Sequence, residues 1–398
     1  MKIVRLGGVN PTTSRFLDFL NQPEIEEIHF ILEKREANYL HDLFQAAKFF
    51  EVEYLLKKVR FTELPSPFIR RIGKKIARRT ESKAFANLAE RFLNRFLSEL
   101  DYDVLWIGDN DFDGSNMILP SLNQRILDKT PIVRSYKETR YFKKWDEFFT
   151  LKHSDCLVFP LKEYVNFFYS LYGKKFGPVL FFDLDWRYSK TIEWVNNLSS
   201  IKFSTFDQKP HVCILCGRAL SDTTEKRSGY RYYYYAIAKE LVKRGVHVHL
   251  HALRIHPDQR GFNPYKELAQ KSEMFQIEKP LNLSAGSSDY GMLKRYDCGL
   301  LHLPVPQEEV SLFRFQQINI PNRLFEYQMA GVCPVAPNEG TVLCKTIERT
   351  GVIYSDYDEL TEKLFSVIKK PPKERILPKN HSFEEFAKGV LGYLRTIR

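Results

Sequence analysis

Ile320 to Pro337 reads IPNRLFEYQMAGVCPVAP. Pro321 has no backbone N–H to donate and suits the first turn of a helix, and Asn322 beside it is a candidate cap. Leu324, Phe325, Gln328 and Met329 then recur at helical spacing and form one apolar stripe. Gly331 ends the helix before an extended run, Val332 to Ala336. Glu326 is the one charge that does not suit a plain core helix. In the first turns it complements the helix dipole, and it is also placed to accept hydrogen bonds from the hydroxyls of a ligand. On these grounds alone the stretch fits a capped amphipathic helix of any α/β domain.

The hundred or so residues before it repeat one theme. HVCILCGRALSDTTEKRSGYRYYYYAIAKELVKRGVHVHLHAL, from His211, predicts strand, glycine turn, polar loop, helix and strand, the start of a Rossmann-like domain. The first strand ends at Gly217 and Arg218, and the loop carries Lys226 and Arg227 towards Gly229. Cations there, beside the free N–H groups of a helix start, suit a diphosphate; the plainer alternative is solvated surface cations. KSEMFQIEKPL predicts a short strand, and in MLKRYDCGLLHLP Asp297 is expected to be a turn or capping residue. Near the C-terminus, Ser382 and Glu385 have capping-box spacing, and Phe383, Phe386, Val390, Leu391 and Leu394 form one stripe.

The N-terminal half opens in the same manner. Lys2 to Leu6 predict a strand ending at Gly7 and Gly8, with Thr12, Thr13 and Ser14 ahead of the helical run RFLDFL. Further strands are expected at EIHFILE and EVEYLLKK, and the strand in DYDVLWIGDND ends in acidic residues. Asp109, Asp111, Asp113 and Gly114 imitate half of an EF-hand loop, but the closing glutamate would fall at Pro120. At the carboxyl end of a parallel strand such residues line the ligand crevice instead. PIVRSYKETRYF, HSDCLVFPLKEYVNFF and PVLFFDLDWRY complete this half. Its Asp183-Leu184-Asp185 triplet admits two readings, a hinge between domains or a carboxylate pair for a divalent cation.

Between these lies a basic segment. SPFIRRIGKKIARRT, Ser66 to Thr80, pairs its cations at Arg70 and Arg71, Lys74 and Lys75, and Arg78 and Arg79, while Phe68, Ile69, Ile72 and Ile76 recur at three and four. Such a helix can dock on an anionic lipid surface, each cation contributing ~1 kcal/mol. It can equally be a solvated helix whose isoleucines face a core.

With 398 residues, 43% hydrophobic and 27% charged, the chain is globular and long enough for two α/β domains. No apolar run of membrane-spanning length is present, and MKIVRLGG reads as a strand rather than a signal peptide, so a cytoplasmic location is expected. The net charge of +11 calls for an anionic partner: nucleic acid, lipid surface or phosphate-bearing substrate. No recognisable nucleic-acid motif accompanies it, so nucleic acid is not the expected partner. Cys213 and Cys216, the only close pair, would point to opposite faces of a strand and are read as buried free thiols, with no metal.

PNRLFEYQMAGVCPV resembles the nucleotide-sugar signature of retaining glycosyltransferases of the GT-B fold (the group 1, or family 4, type), P-N-K-hydrophobic-F-E-Y-x-A-x-G-x-P-V. It departs in one respect: many relatives carry a second glutamate where Ile318 stands. The resemblance implies an α/β chain of two Rossmann-like domains facing across a cleft. It places the acceptor domain at residues 1–190, a linker at 191–207, the nucleotide-sugar domain at 208–378 and a helix at 379–398 returning to the N-terminal domain. It implies a hexosyltransferase-type enzyme of polysaccharide biosynthesis with a nucleotide-sugar donor, no cofactor and a glycan or glycolipid acceptor. Arg218 with Lys226 or Arg227 would hold the donor phosphates, and Asn322, Arg323, Leu324 and Glu326 the nucleoside side. Gly7, Gly8 and Gly217 would let backbone approach the ligand. Asp109 or Asp111 would take the place of the histidine that many members carry on the acceptor side. A membrane-anchored acceptor would make the protein peripheral at the inner face of a membrane, docked through residues 68–79. Two other readings stay open: a metal-dependent glycosyltransferase using Asp183 and Asp185, and a catalytically degenerate basic protein that binds nucleic acid or glycan.

Overall fold

The computed structural model of the chain describes residues 1–7, 13–32, 40–64, 72, 75–77, 79–108, 118–136, 145–173, 176–220, 232–256, 263–305, 307–308, 316–370 and 382–397. These divide into two compact units. One comprises Met1–Thr191, Ser284–Gly286 and Lys379–Arg398; the other comprises Ile192–Leu283 and Ser287–Pro378.

The first unit is built on β1 (Lys2–Leu6), β2 (Glu27–Leu32), β3 (Val59–Glu63), β4 (Val104–Ile107), β5 (Ile132–Ser135), β6 (Cys156–Phe159) and β7 (Val179–Phe181). Their order is β3-β2-β1-β4-β5-β6-β7, and every neighbouring pair is parallel. Helices cover a parallel sheet on both faces, which is why its central strands read as continuous apolar runs, such as VLWI and CLVF. The order reverses between β1 and β4. Gly7 stands at the carboxyl end of β1 there, with φ +61°, and its N–H donates to Ile31 O at 3.3 Å.

EVEYLLKK is not a strand. Glu53–Lys58 is a 3-10 turn, and the strand is the next segment, Val59–Glu63. The short apolar run carries no periodicity that separates strand from turn, and edge strand β3 is largely exposed, so its own pattern is faint.

The helix Phe383–Thr396 belongs to this unit although it follows the second unit in the chain. Its apolar stripe shares one core with Phe16, Trp106 and Leu184. Phe386 stacks on Trp106 at 5.6 Å between ring centroids, and Phe383 meets Phe16 edge-on at 5.3 Å. Ser382 makes no side-chain cap bond, so the capping box is not formed. The helix start is held instead by the backbone, Phe383 N–H donating to Arg187 O at 2.8 Å.

The second unit carries β8 (His211–Cys216), β9 (Ala219–Leu220), β10 (His247–Ala252), β11 (Ile255–His256), β12 (Phe275–Glu278), β13 (Cys298–Leu300), β14 (Cys333–Pro337) and β15 (Val352–Tyr354). The main sheet is ordered β12-β10-β8-β13-β14-β15, all parallel, while β9 and β11 form a separate parallel pair. Its direction reverses between β8 and β13. The stretch 191–207 includes the end of a helix, Ser189–Asn197, and a short helix, Ser204–Asp207. All six cysteines are free thiols, and burial pushes the Cys216 thiol up to about 12. Among the described residues no helix is long and apolar enough to cross a membrane.

Two outcomes follow from the first unit. Phe386→Ala removes a ring from a filled core and is expected to cost about 3–5 kcal/mol, read as a shift in the denaturant midpoint of that unit. Asp18 is buried and accepts from Ser189 N at 2.9 Å and Ser189 Oγ at 2.5 Å. Burial pushes its carboxyl from 3.8 to about 7, against the opposing pull of the Ser189 bonds. The folded state therefore holds this proton more tightly than the unfolded chain does. Its contribution to stability is complete below the ordinary value and is lost as pH rises through about 7. Urea denaturation from pH 4 to 8 should show that loss, and Asp18→Asn should flatten it.

Candidate functional site

In open parallel sheets, ligands bind beyond the carboxyl ends of the strands where the order reverses. In the second unit that place lies beyond β8 and β13, and the Arg323–Met329 helix is anchored there. Arg323 Nη1 donates to Leu215 O at 2.5 Å and to the Tyr234 hydroxyl at 3.2 Å, while Nη2 donates to Leu301 O. One planar guanidinium thus ties the end of β8 to the residue after β13.

Tyr327 acts one turn deeper. Its hydroxyl accepts from Leu215 N–H at 3.2 Å and lies 3.3 Å from Cys213 O and 3.4 Å from Leu300 O. The ring lies against Gly299, where an added Cβ would stand 2.6 Å from ring carbons. The YDCGLL segment needs its glycine for this contact.

Glu326 is buried, and its Oε2 accepts from the Tyr290 hydroxyl at 2.8 Å. That same hydroxyl lies 2.9 Å from Leu283 O, so one proton faces two acceptors. Tyr290 is held in place by the edge of Trp194 at 5.8 Å. Leu324 has no exposed surface, and its N–H already donates to Pro321 O at 2.9 Å, which gives it a packing role rather than a ligand contact. Asn322 stands at the helix start without a side-chain cap bond.

Gly217 is exposed at the end of β8, with open space around it. Arg218 follows it, its guanidinium carbon 4.4 Å over the Tyr232 ring, so the structure brings Arg218 and Arg323 to the same end of one strand. Gly8, Asp109, Lys226 and Arg227 lie outside the described residues, as do Phe68, Ile69, Arg70, Arg71, Lys74 and Arg78 of the basic segment.

Two residues here escaped the sequence reading. Asn319 is fully buried, and neither its amide oxygen nor its nitrogen has a partner among the described residues. It is adjacent to Ile318. Glu339, just beyond β14, accepts from Val305 N–H at 2.9 Å, and burial raises its carboxyl above the ordinary range. Its place after the strand VCPVAP was the available signal; for Asn319 the sequence holds none, because only burial without a partner sets it apart.

In the first unit, Asp183 and Asp185 are both buried and committed. Asp185 Oδ1 accepts from Arg15 Nη1 at 3.1 Å, its backbone carbonyl accepts from Arg187, and Asp183 Oδ1 accepts from Asp185 N–H at 2.8 Å. Two arginines beside this pair supply the positive charge that a cation would bring, which disfavours the metal reading.

No known family pattern and no curated protein matches the chain. Solved structures do. UDP-GlcNAc 2-epimerase of Methanocaldococcus jannaschii, in complex with UDP-GlcNAc and UDP, is similar with a TM-score of 0.54 at 12% identity, over 99% of this chain and 100% of that one. The α,α-trehalose 6-phosphate synthase of Burkholderia multivorans is similar with a TM-score of 0.56 at 10% identity, over 100% of this chain and 98% of that one. MnaA of S. aureus, solved with UDP, has a TM-score of 0.54 at 11% identity, over 99% and 97%. The fold is GT-B.

Arg323→Lys would lose the fork that reaches two carbonyls and is expected to cost about 1–3 kcal/mol. Gly299→Ala should cost about as much by overpacking against Tyr327. Thermal unfolding of the second unit measures both.

Proposed function

We propose that the chain is a retaining glycosyltransferase that moves a sugar from a nucleotide-sugar donor to an acceptor without a metal ion at the reacting centre. The observation that carries this reading is the Arg323–Met329 helix, anchored beyond the switch point of β8 and β13 with Glu326 buried beside it. Two kinds of neighbour in this fold support a nucleotide-sugar donor: one was solved with UDP-GlcNAc and UDP, and another is a UDP-forming trehalose-phosphate synthase.

In this scheme Glu326, held by Tyr290, accepts from the hydroxyls of the donor ribose. Arg218, with Lys226 or Arg227, stabilises the charge that develops on the departing diphosphate. On the front face, that phosphate accepts the proton of the attacking acceptor hydroxyl, so no protein base is required and Asp109 serves to position the acceptor. Asn319 takes over the polar contact to the sugar that the glutamate missing at position 318 makes in relatives. Its unpartnered buried amide is costly in the folded protein unless a ligand completes it. The acceptor is a glycan or glycolipid. Ile72 and Ile76 are exposed (46% and 39%) rather than turned into a core, which supports docking of the basic segment on an anionic membrane surface.

The first experiment is a thermal-shift screen against UDP, GDP, ADP and CMP, in which a ligand at 100 times its dissociation constant stabilises by about 2.7 kcal/mol. The screen names the donor base, and a flat response to all four would sink the reading. With the donor known, Arg218→Ala should lower transfer about 100-fold or more, and Glu326→Ala should raise the donor KM about tenfold or more. Chelator should leave the rate unchanged at a temperature well below unfolding. Asn319→Leu should separate two properties, raising the unfolding temperature while lowering transfer. Assays without acceptor reveal any epimerised donor, which would replace transfer by epimerisation as the activity.

A further inference from the structure

The segment that leads into the helix Tyr235–Lys243 divides its tyrosines between two arginines at the carboxyl end of β8. Tyr234 is buried, and its hydroxyl accepts from Arg323 Nη1 at 3.2 Å. Tyr232, two residues earlier, is half-buried, and the Arg218 guanidinium carbon lies over its ring, 4.4 Å from the centroid. Both rings hang from one piece of backbone, in which Tyr234 N–H donates to Tyr232 O at 3.1 Å. Tyr234 thus serves the clamp on the Arg323–Met329 helix, whereas Tyr232 has no part in the scheme above.

The backbone on either side of Arg218 is tied down. Leu253 N–H donates to Cys216 O at 3.1 Å, and Ala219 N–H donates to Arg254 O at 2.9 Å. One residue further on, the Tyr265 hydroxyl donates to Leu220 O at 2.7 Å. Tyr265 also meets Tyr235 edge-on at 5.8 Å between centroids, so the end of the strand and the start of the helix form one packed block. What this backbone does not set is the direction of the long, half-exposed Arg218 side chain.

A ring suits that task better than a carboxylate does. A carboxylate would hold the guanidinium firmly, but it would also neutralise the charge that a diphosphate requires. A ring attracts the cation through its quadrupole, leaves the charge in place and needs no N–H group of the fork. Fixing a side chain as long as arginine before a ligand arrives also lowers the ordering cost of binding.

The geometry points to Tyr232 as a positioning residue for the donor diphosphate: its ring presents Arg218 to the phosphate oxygens at the end of β8. This rests on the role given to Arg218 in the proposed function. Tyr232 acts through that guanidinium, and its own hydroxyl is not required.

The test uses the full chain and titration calorimetry with UDP, or whichever of the four nucleotides the thermal screen selects, and with the matching nucleoside. Tyr232→Leu keeps an apolar side chain and removes the π face. It should weaken nucleotide binding about threefold to fivefold, the range of one exposed cation–π contact, and leave nucleoside binding unchanged. Tyr232→Phe, which keeps the ring without the hydroxyl, should recover the parent affinity. The ring also packs against the core of the second unit, so the cycle with Arg218 separates packing from positioning. In an Arg218→Ala background, Tyr232→Leu should cause no further loss. Equal losses for nucleotide and nucleoside, a loss that persists without Arg218, or no recovery in Tyr232→Phe would overturn the proposal. So would a Tyr232→Leu chain that binds nucleotide as tightly as the parent or more tightly. If Arg218→Ala itself leaves nucleotide binding intact, the role of Arg218 fails and the proposal falls with it.

Discussion

The candidate nucleotide site depends on one planar cation placed where two strands part. At the reversal between β8 and β13 the sheet leaves carbonyl groups at its carboxyl edge without a neighbouring strand. Arg323 answers Leu215 O on one side and Leu301 O on the other. Tyr327 fills the gap beneath, and Gly299 gives it room. A fork of fixed geometry fixes the helix that bears it, and that helix fixes Glu326. Without this clamp the short helix of seven residues would be located less directly, by the packing of its buried side chains and by the Tyr290 hydroxyl on Glu326.

Much of this was legible in the sequence because each part has a local cause. Pro321, the stripe through Leu324 and Met329, and Gly331 mark a helix, and the helix is there. The parallel strands of both sheets announce themselves as apolar runs bounded by glycine, since burial on both faces leaves no alternation to blur them. The errors fall where those causes are weak. EVEYLLKK precedes an edge strand that is mostly solvated, so apolar content pointed to the wrong segment. Ser382 and Glu385 had the spacing of a capping box, but a backbone bond from Phe383 to Arg187 took its place, and no local pattern reveals a partner so distant in sequence.

The candidate site was legible in part for the same reason. Glu326 and Arg218 could be singled out from their neighbours in sequence, whereas Asn319 is distinguished only by what fails to surround it. The role of Arg323 also changes in three dimensions. The motif suggests a cation for the ligand, and the structure shows its guanidinium bonded to protein carbonyls and the Tyr234 hydroxyl. The histidines of β10 alternate along HVHLHA, with Val248 and Leu250 in the core and His247, His249 and His251 on the other face. That two-residue period was visible in the sequence.

The placement of the Phe383–Thr396 helix has a consequence for biosynthesis. The second unit is encoded almost without interruption in the middle of the chain, and every strand of the first unit precedes it. During translation, the first unit therefore emerges with Phe16 and Trp106 lacking the aromatic partners that will cover them. The unit encoded later can close its core first. Until the last helix docks, the earlier sheet is an unfinished surface on the ribosome, the kind of exposed apolar face that chaperones hold.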